Sequence, residues 1–177
     1  SNFIVGDNHT VTDANYNLIN GHQHTVDTAT NCIVSGQFHN LNLVSSAGVT
    51  NAIVFGVRAK GIHNNALIIG ADDSGSSASF TCQTEIVPLR LTTTNNTATE
   101  MTPTGGSTSS ATNRLNIPDS NAALTFTGKV VAINATTGNV CSYDISGTVK
   151  NSSGTASLVN SSVSVIQEED AGLDVTL

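Results

Sequence analysis

Tryptophan is absent from this 177-residue chain and all aromatic residues together make up 4% of it, so the stacking platforms on which sugar-cleaving sites rely are scarce. Charge is equally thin: charged residues are 11% of the chain, against about 25% in an ordinary soluble domain. Basic charge is the scarcest. Six Lys and Arg face 13 Asp and Glu, the net charge is −7, and residues 1–57 contain no Lys or Arg. Nucleic-acid binding needs a basic footprint to neutralise phosphates, so no nucleic-acid partner is expected, and no membrane-surface partner for the same reason. No apolar run approaches the roughly 20 residues of a bilayer-spanning helix. Cys32, Cys82 and Cys141 are an odd number without metal-ligand spacing. Free, mostly buried thiols are expected, with a Cys82–Cys141 bridge as the alternative. There is no Gly-x-Ser-x-Gly elbow and no phosphate-cradling glycine loop. The one acidic cluster, Glu168-Glu169-Asp170, precedes Gly172 and reads as a solvated turn rather than as the paired carboxyls of a glycosidase. No catalytic residue and no cofactor is expected, and the chain does not read as an enzyme.

What fills the composition is Ser, Thr and Asn, at 20, 24 and 20 residues. Hydroxyl and amide side chains wet a surface and build turns without charge, as in extracellular and virion β-proteins. A disordered chain lacks regularly spaced Ile, Val and Leu, and this chain has them.

The spacing is a repeat. The glycines of Ile4-Val5-Gly6, Ile19-Asn20-Gly21 and Val34-Ser35-Gly36 stand 15 residues apart (21 − 6 and 36 − 21), and further copies end at Gly56 and Gly70 after 20 and 14. Apolar pairs precede each glycine: Phe3/Ile4, Leu18/Ile19, Ile33/Val34, Ile53/Val54 and Leu67/Ile68. Five residues after the first three glycines come Val11, Val26 and Leu41, and eight after come Ala14, Ala29 and Val44. Helical hairpin repeats need about 33 residues or more, and β-branched residues punctuated by Asn, Asp and Gly favour strands. Each unit therefore reads as one coil of a β-solenoid over residues 1–73, with extra residues around Ser45–Thr50 in the fourth copy. Neighbours on a strand point to opposite faces. If Leu18 fills its coil, Ile19 faces outward, and the five pairs draw a continuous apolar stripe that soluble monomers seldom expose. Three solenoids packed stripe to stripe would bury it, so a homotrimer is the expected state, with a dimer or burial by another domain as alternatives.

The order apolar pair, one residue, Gly, then Val or Leu resembles the head repeats of trimeric autotransporter adhesins and related phage fibre shafts. That resemblance covers about residues 2–73 and implies a trimeric left-handed parallel β-roll, although the usual unit there is nearer 14 residues.

His9, His24 and His39 each follow an anchor glycine by three residues, which stacks them into a ladder at about 4.8 Å per rung. It ends at Ala59. His22 and His24 form a His-x-His pair, expected on one strand face, and are the only candidate metal ligands. Three such pairs around a threefold axis would supply an octahedral set, and similar motifs hold metal in trimeric phage fibre tips. Stacking alone accounts for the positions, so no metal is expected. A titrating column is the remaining alternative, since imidazole changes charge near about pH 6.5.

Residues 74–79 read as a polar linker, and 80–177 as a second domain. Strand-like segments at Phe80–Leu91, Leu115–Ile117, Ala122–Ile133, Val140–Val149, Ser157–Val159 and Ser162–Ile166 alternate with turns at Asn134–Asn139 and Asn151–Gly154, and Thr92–Thr112 reads as a long loop. Hairpins at this spacing indicate an antiparallel β-sandwich or jelly roll. Residues 114–120, from Arg114 to Ser120, and 126–132, from Phe126 to Ala132, resemble a knob domain of phage tail-fibre and neck proteins over about residues 84–177. There the strand begun at Gly172–Leu177 continues into more sheet, so an incomplete knob and a chain cut from a longer one are expected.

The resemblances imply an adhesive segment of a virion-surface tail fibre that trimerises and presents a host-attachment domain. Its partners would be its own copies, other fibre or virion components, and host surface glycan or protein. Two alternatives stand beside it: a fragment of a polysaccharide-depolymerising tailspike, and a bacterial trimeric adhesin at the cell surface.

Overall fold

A computed structural model describes residues 1–41, 49–61, 63–71, 82–93, 99–105, 115, 117 and 122–177. Among them there is no helix. The chain divides into two compact units, residues 1–93 with 98–116, and residues 117–177 with 94–97.

The first unit is a β-solenoid. Strands β1 (Phe3–Asp7), β3 (Leu18–His22), β5 (Ile33–Gln37), β7 (Ile53–Val57) and β8 (Leu67–Ala71) form one parallel sheet, and β2 (Thr10–Thr12), β4 (Thr25–Asp27) and β6 (Asn40–Leu41) form a second. The pairing follows the repeat: Gly6, Gly21, Gly36, Gly56 and Gly70 stand in one row, with Ile4, Ile19, Val34, Val54 and Ile68 in another. Bridges from Asn15 to Thr30 and from Thr30 to Thr50 complete the coil. The 20-residue step therefore falls between Leu41 and Val49, and the expected extra residues and Val44 lie largely outside the described residues. Val49 takes the interior place beside Ala14 and Ala29.

The corners turn on residues with positive φ: Asn8, Gln23, Phe38 and Arg58 at one, Asp13 and Thr28 at the next, and Tyr16, Asn31, Asn51 and Asn65 at the third. A backbone run of such a residue breaks the two-residue alternation of a strand. The interior is narrow and lined largely by apolar side chains. Ile19, Val34, Val54 and Ile68 form one column, Val26 and Leu41 another, and Cys32, Ala52 and Ala66 a third, all buried. Burying each Ile or Val contributes about 1.5–3 kcal/mol.

The segment expected to open the second domain belongs here instead. Within Phe80–Leu91, β9 (Gln83–Ile86) pairs antiparallel with β8, and Lys60 N donates to Gln83 Oε1 at 2.9 Å. The described part of Thr92–Thr112 is also part of this end of the solenoid: Thr102 bridges Arg90 and is buried, and Asn65 Nδ2 donates to Pro103 O at 2.8 Å. The polar linker at 74–79 lies outside the described residues.

The second unit holds a three-stranded antiparallel meander, β10 (Ala122–Ile133), β11 (Val140–Ser152) and β12 (Thr155–Glu168). Two of the expected strands, Ser157–Val159 and Ser162–Ile166, are one strand. No Gly or Pro separates them, and register shifts opposite Thr148/Val149 and Ser142/Tyr143 absorb the mismatch. Leu115, Ile117 and Gly172–Leu177 are not in strands. A second sheet facing the meander is not present among the described residues.

Candidate functional site

The solenoid offers two ordered features, an outward apolar stripe and an inward imidazole column. The stripe has the opposite parity from the expectation. Ile19, Val34 and Val54 are 0% exposed, whereas Leu18, Ile33 and Ile53 are 41%, 38% and 37% exposed. The second member of each pair fills the coil and the first faces out. Ile4 heads the interior column at the sheet edge, where no coil covers it, and is exposed; Ile68 closes the column and is buried. Phe3 is exposed and Leu67 half-buried on the outward side. Val5, Phe55 and Ile69 share that side two residues on, and they were not among the expected residues. The signal was present: Asn20 and Ser35 occupy the same row, and polar residues there mark the row as outward.

Glycine makes the column possible. A Cβ at Gly21 would lie 2.0 Å from the Gly36 carbonyl oxygen and 2.9 Å from His24 Nε2, at a φ of +129°. With that space open, His24 stacks on His9 and on His39 at 5.0 Å between ring centroids, with the planes tilted by 9° and 8°. His24 and His39 are buried. Their nitrogens are all engaged. Nδ1 of His9, His24 and His39 accepts from the backbone N–H of His24, His39 and Ala59 at 3.3, 3.2 and 3.0 Å. Nε2 of the same rings faces the carbonyl oxygens of Val5, Asn20 and Ser35 at 3.3, 3.0 and 3.0 Å. Burial holds His39 down at about 4, and burial likewise pulls His24 below the ordinary imidazole range.

The His-x-His pair is split. Gln23 sits at positive φ between the two, so alternation fails and the rings diverge. His24 enters the column, while His22 lies outside, bonded through Nδ1 to Asp7 at 2.8 Å and edge-on to Phe38 at 5.5 Å. With both His24 nitrogens occupied, the pair does not chelate. Among the described residues no group of three or more His, Cys, Asp or Glu side chains is placed to hold a metal. Arg58 stacks over Phe38 at 4.8 Å and extends this outer row. At the capped end, His63 Nδ1 meets Glu85 Oε2 at 2.5 Å.

The second unit's sheet is two-faced. Leu124, Phe126 and Val130 pair with Val149, Gly147 and Tyr143 on one side, with Ile145 and Cys141 continuing the row and Leu158, Val163 and Val165 beside it on β12. The other side carries Thr125, Thr127, Ser142, Ser146, Ser162 and Ser164, with Lys129 and Asp144 paired at 2.6 Å. The acidic cluster staples a turn. Glu169 Oε2 accepts from Val140 N at 2.9 Å, and Asp170 accepts from Asn134 Nδ2 at 3.0 Å, which holds its carboxyl below the usual carboxylate range. Tyr143 donates its hydroxyl to Leu173 O at 2.6 Å, so the last residues cover the Tyr143 end of the apolar face. All three cysteines are free, Cys32 and Cys141 buried and Cys82 exposed.

No family model matches this chain, and neither does any curated protein or solved structure.

Proposed function

We propose that the chain is a non-enzymatic segment of a trimeric surface fibre, of the phage tail-fibre kind, in which the solenoid trimerises and the second unit serves as an attachment knob. The observation that carries this is the outward row Phe3, Leu18, Ile33, Ile53 with Val5, Phe55 and Ile69. A narrow parallel coil whose interior is already filled has no internal use for a second apolar row. A continuous apolar stripe on a soluble protein marks an interface, and three copies around one axis cover a single stripe on each. The half-exposed apolar side of the meander supports a two-layer, sandwich-like knob, because a lone three-stranded sheet is marginal in water. In such a fibre weak sites gain avidity by being presented three times, with virion components and host surface glycan or protein as partners.

Light scattering on the purified chain tests it. The mass expected is about three times that of one chain, and Leu18→Asp with Ile33→Asp should yield a folded monomer, since both side chains leave the coil interior untouched. A wild-type chain that is a stable monomer at all concentrations would overturn the reading.

A further inference from the structure

The imidazole column is buried at His24 and His39, half-buried at its outer rung His9, and hydrogen-bonded at every ring nitrogen. A backbone N–H only donates and a carbonyl oxygen only accepts. Rings that take an N–H at Nδ1 and face a carbonyl at Nε2 are therefore neutral, with their proton on Nε2. We propose that His24 and His39 form an acid-released latch, which ties successive coils to one another while neutral and lets them part when Nδ1 is protonated.

Nδ1 carries the lone pair that a proton would take, and it is the atom that joins one coil to the next. Protonation turns that acceptor into a donor aimed at another donor. The inter-coil bond is lost, and the N–H of the following coil is left without its acceptor inside the core. A charged ring also faces its neighbour 5.0 Å away in a near-parallel stack, so a second proton on the adjacent rung is opposed. The Asp7 carboxyl senses the outermost rung, His9, but no carboxylate bonds a ladder nitrogen. All six ladder nitrogens meet main-chain atoms or main-chain donors of the next rung, never a carboxylate. The titratable groups nearest the column are His22 and Asp7, bonded to each other on the outer side of the same corner, with Arg58 beyond them over Phe38. Burial supports the same direction, with His39 near 4 and His24 lowered from 6.5. The unfolded chain takes up its protons at about 6.5, so the latch is complete above that pH and weakens as pH falls toward the folded value. The inference is independent of the fibre reading, because it needs only the coil.

Amide exchange of the whole chain by NMR tests it, with 15N shifts of the histidine rings recorded on the same sample. At neutral pH His24 and His39 should carry their proton on Nε2. Between about pH 7 and about pH 4.5 the amides of His39 and Ala59 should lose at least about ten-fold protection, after correction for intrinsic rates, reversibly and ahead of β10–β12. His39→Gln supplies an uncharged acceptor to Ala59 and should move the loss to lower pH; if that variant does not fold, the wild-type profile decides. Protection unchanged by acid, a simultaneous loss in β10–β12, a proton on Nδ1 at neutral pH, or a folded His39→Gln with the wild-type profile would each overturn the latch.

Discussion

A side chain added at Gly21 meets main chain, not a movable neighbour: the Gly36 carbonyl oxygen is 2.0 Å from where its Cβ would stand. Gly36 repeats the arrangement against Gly56 at 1.9 Å. Gly21→Ala should therefore cost more than about 3 kcal/mol, well beyond the penalty for a strained φ alone. Gly138, at φ +78° with nothing within 4 Å, is the control; Gly138→Ala should cost about 1 kcal/mol. Denaturant midpoints of the two variants measure the difference. Asn134 is another residue with several tasks, since Oδ1 accepts from Thr136 and Thr137 N and Nδ2 reaches Asp170. Asn134→Ala should lower stability by about 1–2 kcal/mol and loosen the β10–β11 turn.

At the scale of elements, the repeat was legible because each coil must place the same chemistry over the same chemistry. Row-by-row identity of Gly6, Gly21, Gly36, Gly56 and Gly70 is a direct image of parallel register. The parity of the apolar pair was read the wrong way round. Two adjacent apolar residues are symmetric under exchange of inside and outside, and only the row two residues on, with Asn20 and Ser35, breaks the tie. The corner residues carry a further ladder. Asn31 donates to Asn51 at 3.2 Å and Asn51 to Asn65 at 3.1 Å, each at positive φ, and Asn65 ends the row on Pro103. Asn51→Ala should destabilise by about 1 kcal/mol more than Asn51→Gly, because alanine adds backbone strain to the lost hydrogen bonds; thermal unfolding of the pair checks this. The boundary near residue 80 was misplaced because β9 has the composition of any exposed strand. Its partner is chosen by the open edge of β8, which no local pattern announces.

For the whole molecule, acid and thiol chemistry separate what is enclosed from what is open. His39 is lowered to about 4 by burial, so its share of stability is present above about 6.5 and lost as pH falls toward 4, a change of about 3 kcal/mol. Asp7, held low by its hydrogen bond to His22, acts in the same sense but below that range, its contribution fading only as its carboxylate protonates. Urea midpoints should accordingly fall between about pH 6.5 and about pH 4. Cys32 is buried, with its thiol pushed up by burial, Cys141 is buried, and Cys82 is exposed. A disulfide reagent should titrate about one thiol per native chain quickly and all three after denaturation. Rapid reaction of all three in the native protein would contradict the burial of Cys32 and Cys141.

Composition and spacing alone determined that this is a β-chain built on a coil of about 15 residues, that histidines recur at one position of it, and that antiparallel strands with turns at Asn134–Asn139 and Asn151–Gly154 follow. These are local or strictly periodic properties, and periodicity survives in a linear string. Tertiary structure alone decided that His22 and His24 part company, and that β9 and Thr102 close the solenoid rather than open the next unit. Each of those outcomes turns on a backbone corner at positive φ or on a free strand edge. Corners reset the two-residue alternation, and edges recruit partners by hydrogen bonding common to every residue type, so neither leaves a residue signature to read.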